Sequence, residues 1–191
     1  MNLLYHFLNK YTSKKNILIG IFLIIIFNVL LLPKFSELFL STKIAIKSIL
    51  DIKFSYTTAI AYTLFENLGK EGRNAYKLSE LFVDIPYAII YGFTYAFIII
   101  FLLKLNKIKR LNFLILTPLL ISFFDILENT GIIVMLTKYP VKLDTLCNLT
   151  SIFTSLKWIF AIITFIIVLV NFGYLLISKF VLKKQNIIYS K

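Results

Sequence analysis

The sequence predicts an all-α integral membrane protein: a four-transmembrane-helix bundle with an amphipathic interfacial helix in its first outer loop. Three observations predict this fold. First, 59% of the 191 residues are hydrophobic, above the roughly 45–50% of soluble domains. Second, these residues gather in blocks long enough for a hydrocarbon core about 30 Å thick. Third, basic residues cluster before the first block, between the second and third, and after the fourth, which are the ends that four spans place on one side of a membrane. The length fits a single membrane domain, residues 1–191.

Each predicted span is a long apolar block. The spans cover approximately residues 16–32, 85–103, 111–136 and 151–177. The first block is followed by Pro33-Lys34-Phe35 and not by a small-residue cleavage site. We therefore expect it to be a retained span and not a secretory signal.

Charge asymmetry predicts the orientation. Three segments are basic and contain no acid: the one before the first span, the turn between the second and third, and the one after the fourth. Their basic residues are Lys10, Lys14, Lys15, Lys104, Lys107, Lys109, Arg110, Lys179, Lys183, Lys184 and Lys191. Because positive loops stay inside, we expect both termini in the cytoplasm of a cell-membrane protein.

The first outer loop is predicted to contain a helix over approximately residues 41–68. Lys43, Lys47 and Asp51 are spaced four residues apart in an otherwise apolar stretch, which is typical of an amphipathic helix. Gly69 is a plausible helix end. We expect this helix to lie on the outer interface, over the bundle.

Composition excludes several functions. The net charge of +12 comes from residues that flank apolar blocks, so the expected partners are membrane lipids or a lipophilic small molecule, and not nucleic acid. A homo-oligomer stays open. Cys147 and His6 are the only residues of their types, which excludes an internal disulfide, a Cys/His zinc site and bis-histidine haem. We predict no cofactor and no metal.

The third span has one strongly polar face. Pro118, Ser122, Asp125, Glu128 and Asn129 fall within roughly 120° of a helical wheel. Charged groups at membrane depth usually face a bundle interior and serve a function. The alternative is a pair of neutralised acids that holds helices together.

The second span also has a polar face, which includes Asp84, Tyr87 and Tyr91. Asp84-Ile85-Pro86 equally fits an N-cap followed by an early proline, an ordinary helix start. The tyrosines could instead form an interfacial belt or pack in the core.

On the fourth span, Thr154 and Lys157 share a face with Trp158 beside it. We expect Lys157 to pair with Asp125 or Glu128 and not to extend to the headgroups.

Arg73, before the second span, could hold a lipid phosphate or a substrate anion, or lie plainly on the surface. All four spans thus place polar groups toward the outer half of the bilayer.

In layout alone, the chain resembles two groups of small four-span membrane proteins. Lipoprotein signal peptidases have two catalytic aspartates near the outer face, and sterol-isomerase-like proteins hold acidic residues in a lipid-facing cavity. The G-N-x-x-D-R and F-N-x-A-D strings of the peptidases are absent here. No residue role is carried over, because shared layout is weak evidence of function.

These patterns favour an intramembrane enzyme that acts on a lipid or lipophilic substrate by carboxylate acid–base chemistry. The candidate catalytic residues are Asp125, Glu128 and Asp84. The candidate substrate-binding residues are Asn129, Tyr91, Tyr87, Lys157, Trp158, Thr154, Arg73 and Ser122. Two alternatives stay open: a transporter or binding component that holds a cation or proton, and a scaffold or accessory subunit in which the cluster serves packing.

Overall fold

The structure, a computed structural model, describes residues 2–34, 49–108 and 110–189, with side chains of 3–34, 49–108 and 110–179. It is all-helical, with no strand in these ranges. The α-helices are α1 (Asn2–Tyr11), α2 (Lys14–Ile26), α3 (Thr58–Ser79), α4 (Ile85–Leu105), α5 (Leu116–Lys138) and α6 (Asp144–Tyr189).

Four helical segments in the described ranges are long and apolar enough to cross a membrane. They are Lys14–Lys34, Thr58–Leu105, Asn112–Lys138 and Asp144–Lys179. The four predicted spans fall on these segments, with residue 111 just before the third. Four such helices suggest a multi-pass membrane protein.

Two π-helical turns, Phe27–Leu31 and Glu80–Asp84, each end two residues before a proline in a continuing helix. Because proline lacks an N–H and clashes with the preceding turn, a wider turn lets the helix continue. The second turn joins α3 to α4, so Asp84 lies inside a continuous helix and makes no side-chain cap. The alternative in which Asp84 starts the second span as its N-cap is therefore wrong.

The predicted interfacial helix is only partly found. Residues 41–48 lie outside the described part of the chain. Leu50–Ile52 form one 3-10 turn, the chain is non-helical at 53–57, and α3 begins at Thr58. The break is held by α6, where Ser151 Oγ accepts the Tyr56 N–H at 2.8 Å and Trp158 Nε1 donates to the Lys53 carbonyl at 3.0 Å. A continuous helix over 49–68 is therefore wrong.

Gly69 does mark a helix end, and a second helix follows it directly. Its φ of 64° is in the left-handed region that glycine adopts at little cost. The chain turns there and continues as helix to Ser79. The first half of α3 packs its apolar face on α5 and α6, around Phe65, Met135 and Cys147.

The long helices approach closely at small residues. A Cβ on Gly92 of α4 would lie 2.6 Å from the Ser122 Cβ of α5, and one on Gly131 would collide with Thr150 of α6. Small residues at such crossings let helix backbones come close together. The crossings fix α4, α5 and α6 around one buried polar layer.

Candidate functional site

The polar layer is centred on Lys157 of α6. Its Nζ lies 2.9 Å from Asp125 Oδ1 and 2.5 Å from Glu128 Oε2, both on α5. The lysine side chain is 10% exposed and that of Glu128 is fully buried. Sequence predicted a pair with one of the two acids; one lysine in fact contacts both, because i and i+3 positions lie on the same face of a helix.

Tyr91 of α4 completes this cluster. Its hydroxyl donates to Asp125 Oδ2 at 2.6 Å, so Asp125 is held from one side by a phenol and from the other by an ammonium. Such bonds to a carboxylate are strong in a low-dielectric setting. Asp125 is therefore a carboxylate with a fixed orientation.

Behind the ion cluster lie two further buried polar groups, Glu80 and Asn129. With its amide oriented to suit its neighbours, Asn129 donates to Glu80 Oε2 at 3.0 Å and to the Asp125 carbonyl at 3.1 Å. Within the described ranges, neither Glu80 Oε1 nor Glu128 Oε1 has a hydrogen-bond partner. The predicted burial of Asp125, Glu128 and Asn129 is confirmed.

Sequence analysis missed Glu80 and Asp51, which it placed in the outer loop. Glu80 continues the face of Asp84 and Tyr87 one helical turn upstream, so a longer helical wheel would have included it. Asp51 carries no such local signal. Asp51 is positioned because the non-helical segment after it is hydrogen-bonded to α6. Its Oδ2 accepts a hydrogen bond from the Tyr76 hydroxyl of α3 at 2.7 Å.

A cavity of about 400 Å³ opens beside the cluster. Its lining residues are Asp51, Asp84, Tyr87, Tyr91, Tyr95, Ile121, Asp125, Lys157, Trp158, Ala161, Thr164, Phe165 and Val168. The charged residues lie at one end, and the α6 residues from Ala161 to Val168 lead away to an apolar end. Trp158, Tyr95 and Phe165 are 37%, 36% and 63% exposed, so the wall opens sideways out of the bundle.

Asp84 differs from Asp125 in its surroundings. Its one hydrogen bond among the described side chains is from Ser79 Oγ, at 3.3 Å. No lysine or arginine of the described ranges lies within ion-pair distance of it. The two lining aspartates thus differ in their bonding, one tightly held and one nearly free.

Tyr87 and Trp158 form walls of the cavity, and each is fixed by one hydrogen bond. Asn28 Nδ2 donates to the Tyr87 hydroxyl at 2.6 Å. The Trp158 indole is held by Lys53, as described above. Tyr87 also stacks on Phe27, with ring centroids 5.4 Å apart, and Lys157 Nζ lies 5.9 Å from the centroid of the Trp158 ring.

Three predicted binding residues lie apart from the cavity. Arg73 stacks 4.0 Å over the Tyr139 ring and donates to the Phe65 carbonyl at 2.9 Å. Thr154 is buried and donates to its own helix, and Ser122 packs at the α4–α5 crossing. The structure does not bring these three residues to the site.

Tyr56, in the segment before α3, lies near the layer. Burial raises the pKa of its phenol, and the negative charge of Glu128 raises it further. Its hydroxyl is therefore neutral at any physiological pH and adds no charge to the layer.

Fold and site together define an all-helical protein with four potential membrane-spanning helices and a buried ion cluster beside an open cavity. No protein-family model matches the chain, and no curated protein or solved structure is significantly similar to it.

Proposed function

We propose that this chain is a multi-pass protein of the cell membrane, with both termini in the cytoplasm, that binds a lipid-like amphiphile in the cavity. We further propose that it moves a proton to or from the head group of that molecule. Topology rests on the acid-free basic segments. The ligand class rests on one observation: the cavity has a charged end and an apolar end and opens sideways.

The size and lining of the cavity support this ligand. Pockets for small ligands are commonly about 300–1,000 Å³, mostly apolar with a few convergent polar groups. From Trp158 to Val168, α6 advances about 15 Å at its usual rise, enough for an acyl or alkyl chain. In a bilayer, the sideways opening would face the acyl chains, so an amphiphile could enter without crossing water.

Asp125 is the proposed acid–base group. Tyr91 and Lys157 fix its position, and both can respond to a change in its charge. Asp84, differently surrounded, would bind the head group. Two carboxyls with contrasting environments are the arrangement that acid–base sites use. Conduction is less well supported, because the Asn171 amide, farther along α6, donates to its own helix and the Asn171 carbonyl accepts from Asn106.

Native mass spectrometry of the protein purified in mild detergent tests the binding. We expect a co-purified amphiphile in the wild type. Ala161→Phe fills the cavity and should release it, whereas Ile162→Phe, on the neighbouring exposed position, should retain it. Equal retention by Ala161→Phe and wild type would refute binding in this cavity.

The proton transfer has its own test. The wild type should isomerise the bound amphiphile, or that amphiphile added back, by removing a proton from one position of its head group and returning it at another. The isomer should differ in retention time and not in mass. Asp125→Asn should bind it and leave it unchanged. If the wild type binds the amphiphile but never converts it, the catalytic part fails and a binding or transport role remains.

A further inference from the structure

Four aromatic side chains line the cavity: Tyr87, Tyr91, Tyr95 and Trp158. The ring centroids of Tyr87 and Tyr91 are 5.2 Å apart, and those of Tyr91 and Tyr95 are 6.3 Å apart, so three rings form one wall. Aromatic faces carry negative partial charge and attract cations, organic ammonium groups above all.

The charged side chains that line the cavity also favour a cationic ligand. Asp51, Asp84 and Asp125 line the cavity with a single cation, Lys157. Lys157 is already in contact with Asp125 and with the buried Glu128. An anionic head group would therefore enter a site with surplus negative charge, whereas a cation would be attracted.

Asp84 supplies the specific contact. It lines the cavity, and Ser79, at 3.3 Å, is its one hydrogen-bond partner in the described ranges. A carboxylate in a low-dielectric setting is costly unless a cation or a proton accompanies it. Lys157 is engaged with other acids, so the wall offers no free cation. An ammonium ion in the cavity would supply that partner.

We infer that the amphiphile carries a substituted ammonium head group, held by Asp84 and by Tyr87 one helical turn away, with its chain along the α6 face toward Val168. This inference rests on the proposed amphiphile binding and adds the charge of the head group. An alcohol would gain little from the rings, and a carboxylate or phosphate would be repelled.

Trp158 provides the measurement, because it is the only tryptophan of the chain and lines the cavity. Three probes share a bromoundecyl chain and differ in the head: trimethylammonium, carboxylate or hydroxyl. Bromine quenches indole fluorescence at close range. In the detergent-purified protein, the ammonium probe should reach half-saturation at a concentration at least about tenfold lower than either other probe, a difference equivalent to about 1.4 kcal/mol.

Matched variants locate the preference. Asp84→Asn should cut the ammonium preference about tenfold, whereas Asp144→Asn, the same change at an exposed position, should leave it unaltered. Tyr87→Leu should weaken ammonium binding about threefold, in line with one cation–π contact, and Tyr87→Phe should preserve it.

Ala161→Phe separates the possible failures. It should abolish saturable quenching by all three probes, which shows that the signal comes from the cavity. If the probes saturate with equal or carboxylate-favouring affinity, the ammonium inference is overturned and amphiphile binding stands. If no probe gives quenching that Ala161→Phe removes, the proposed binding fails and the inference fails with it.

Discussion

The polar layer around Lys157 and the apolar layer around Ile99 both lie between the long helices. They differ in composition, because one consists of ionisable and amide side chains and the other of apolar side chains. The apolar layer consists of Leu8, Ala96, Ile99, Ile100, Leu103 and Ile115. The polar layer contains four carboxyl groups, one amide and one lysine: Glu80, Asp84, Asp125, Glu128, Asn129 and Lys157.

The difference shows that these helices can pack against one another without charged groups. Apolar side chains hold α4 and α5 together at one end without any charge. At the other end, acids outnumber the single lysine, and several carboxylate oxygens have no hydrogen-bond partner in the described ranges. Buried ion pairs are weak contributors to stability compared with apolar residues. We propose that a polar layer this costly to keep buried is kept for a ligand.

The largest expected effect comes from removing the lysine. Lys157→Met leaves Asp125 and Glu128 buried without their cation, so we expect a loss of about 3–5 kcal/mol in the free energy of unfolding. Denaturant titration in mixed micelles measures it. The triple variant Lys157→Met, Asp125→Asn, Glu128→Gln should recover most of the loss; a triple variant as unstable as the single one would show that the cluster itself holds the bundle together.

Truncating a side chain in the apolar layer should lower the free energy of unfolding nearly as much, but should leave ligand binding at the polar layer unchanged. Leu103 is 1% exposed, so Leu103→Ala should destabilise by about 2–5 kcal/mol through lost burial and a cavity. Retention of the amphiphile by the folded protein, measured by native mass spectrometry, should equal that of wild type. Loss of the ligand in this variant would mean that the two layers are not independent.

A smaller effect is expected at the α4–α5 crossing that positions Tyr91. Gly92→Ala forces a Cβ against Ser122 and should destabilise by about 1–3 kcal/mol. Gly173→Ala, where no atom lies within 4 Å of the added carbon, should be neutral or stabilise by up to about 1 kcal/mol. Thermal unfolding of the two variants side by side decides the point, and an equal response would argue against close helix contact at Gly92.

Sequence alone predicted the four spans and every member of the polar layer except Glu80, for a clear physical reason. Hydropathy identifies spans because bilayer thickness fixes their length. The 3.6-residue period identifies which residues of one helix share a face, so Asp125, Glu128 and Asn129 could be grouped correctly.

Long-range contacts could not be predicted in this way. Asp51 reaches the cavity because the segment at 53–57 is held to α6 through Ser151 and Trp158. Arg73 lies apart from the cavity because its guanidinium stacks on the ring of Tyr139, a residue 66 positions later in the chain. Neither contact follows from periodicity within one helix, because each depends on which elements pack together.

The central claim, that the polar layer is kept for a ligand and not for stability, is tested most directly at Asp84. Asp84→Asn replaces a half-buried carboxyl that has one hydrogen bond among the described side chains and keeps the shape of the side chain. The free energy of unfolding should therefore stay within about 1 kcal/mol of wild type or rise. Retention of the co-purified amphiphile, measured by native mass spectrometry on the same preparation, should fall at least about tenfold, the equivalent of 1.4 kcal/mol. Unchanged retention together with reduced stability would contradict the claim and make the layer a packing device.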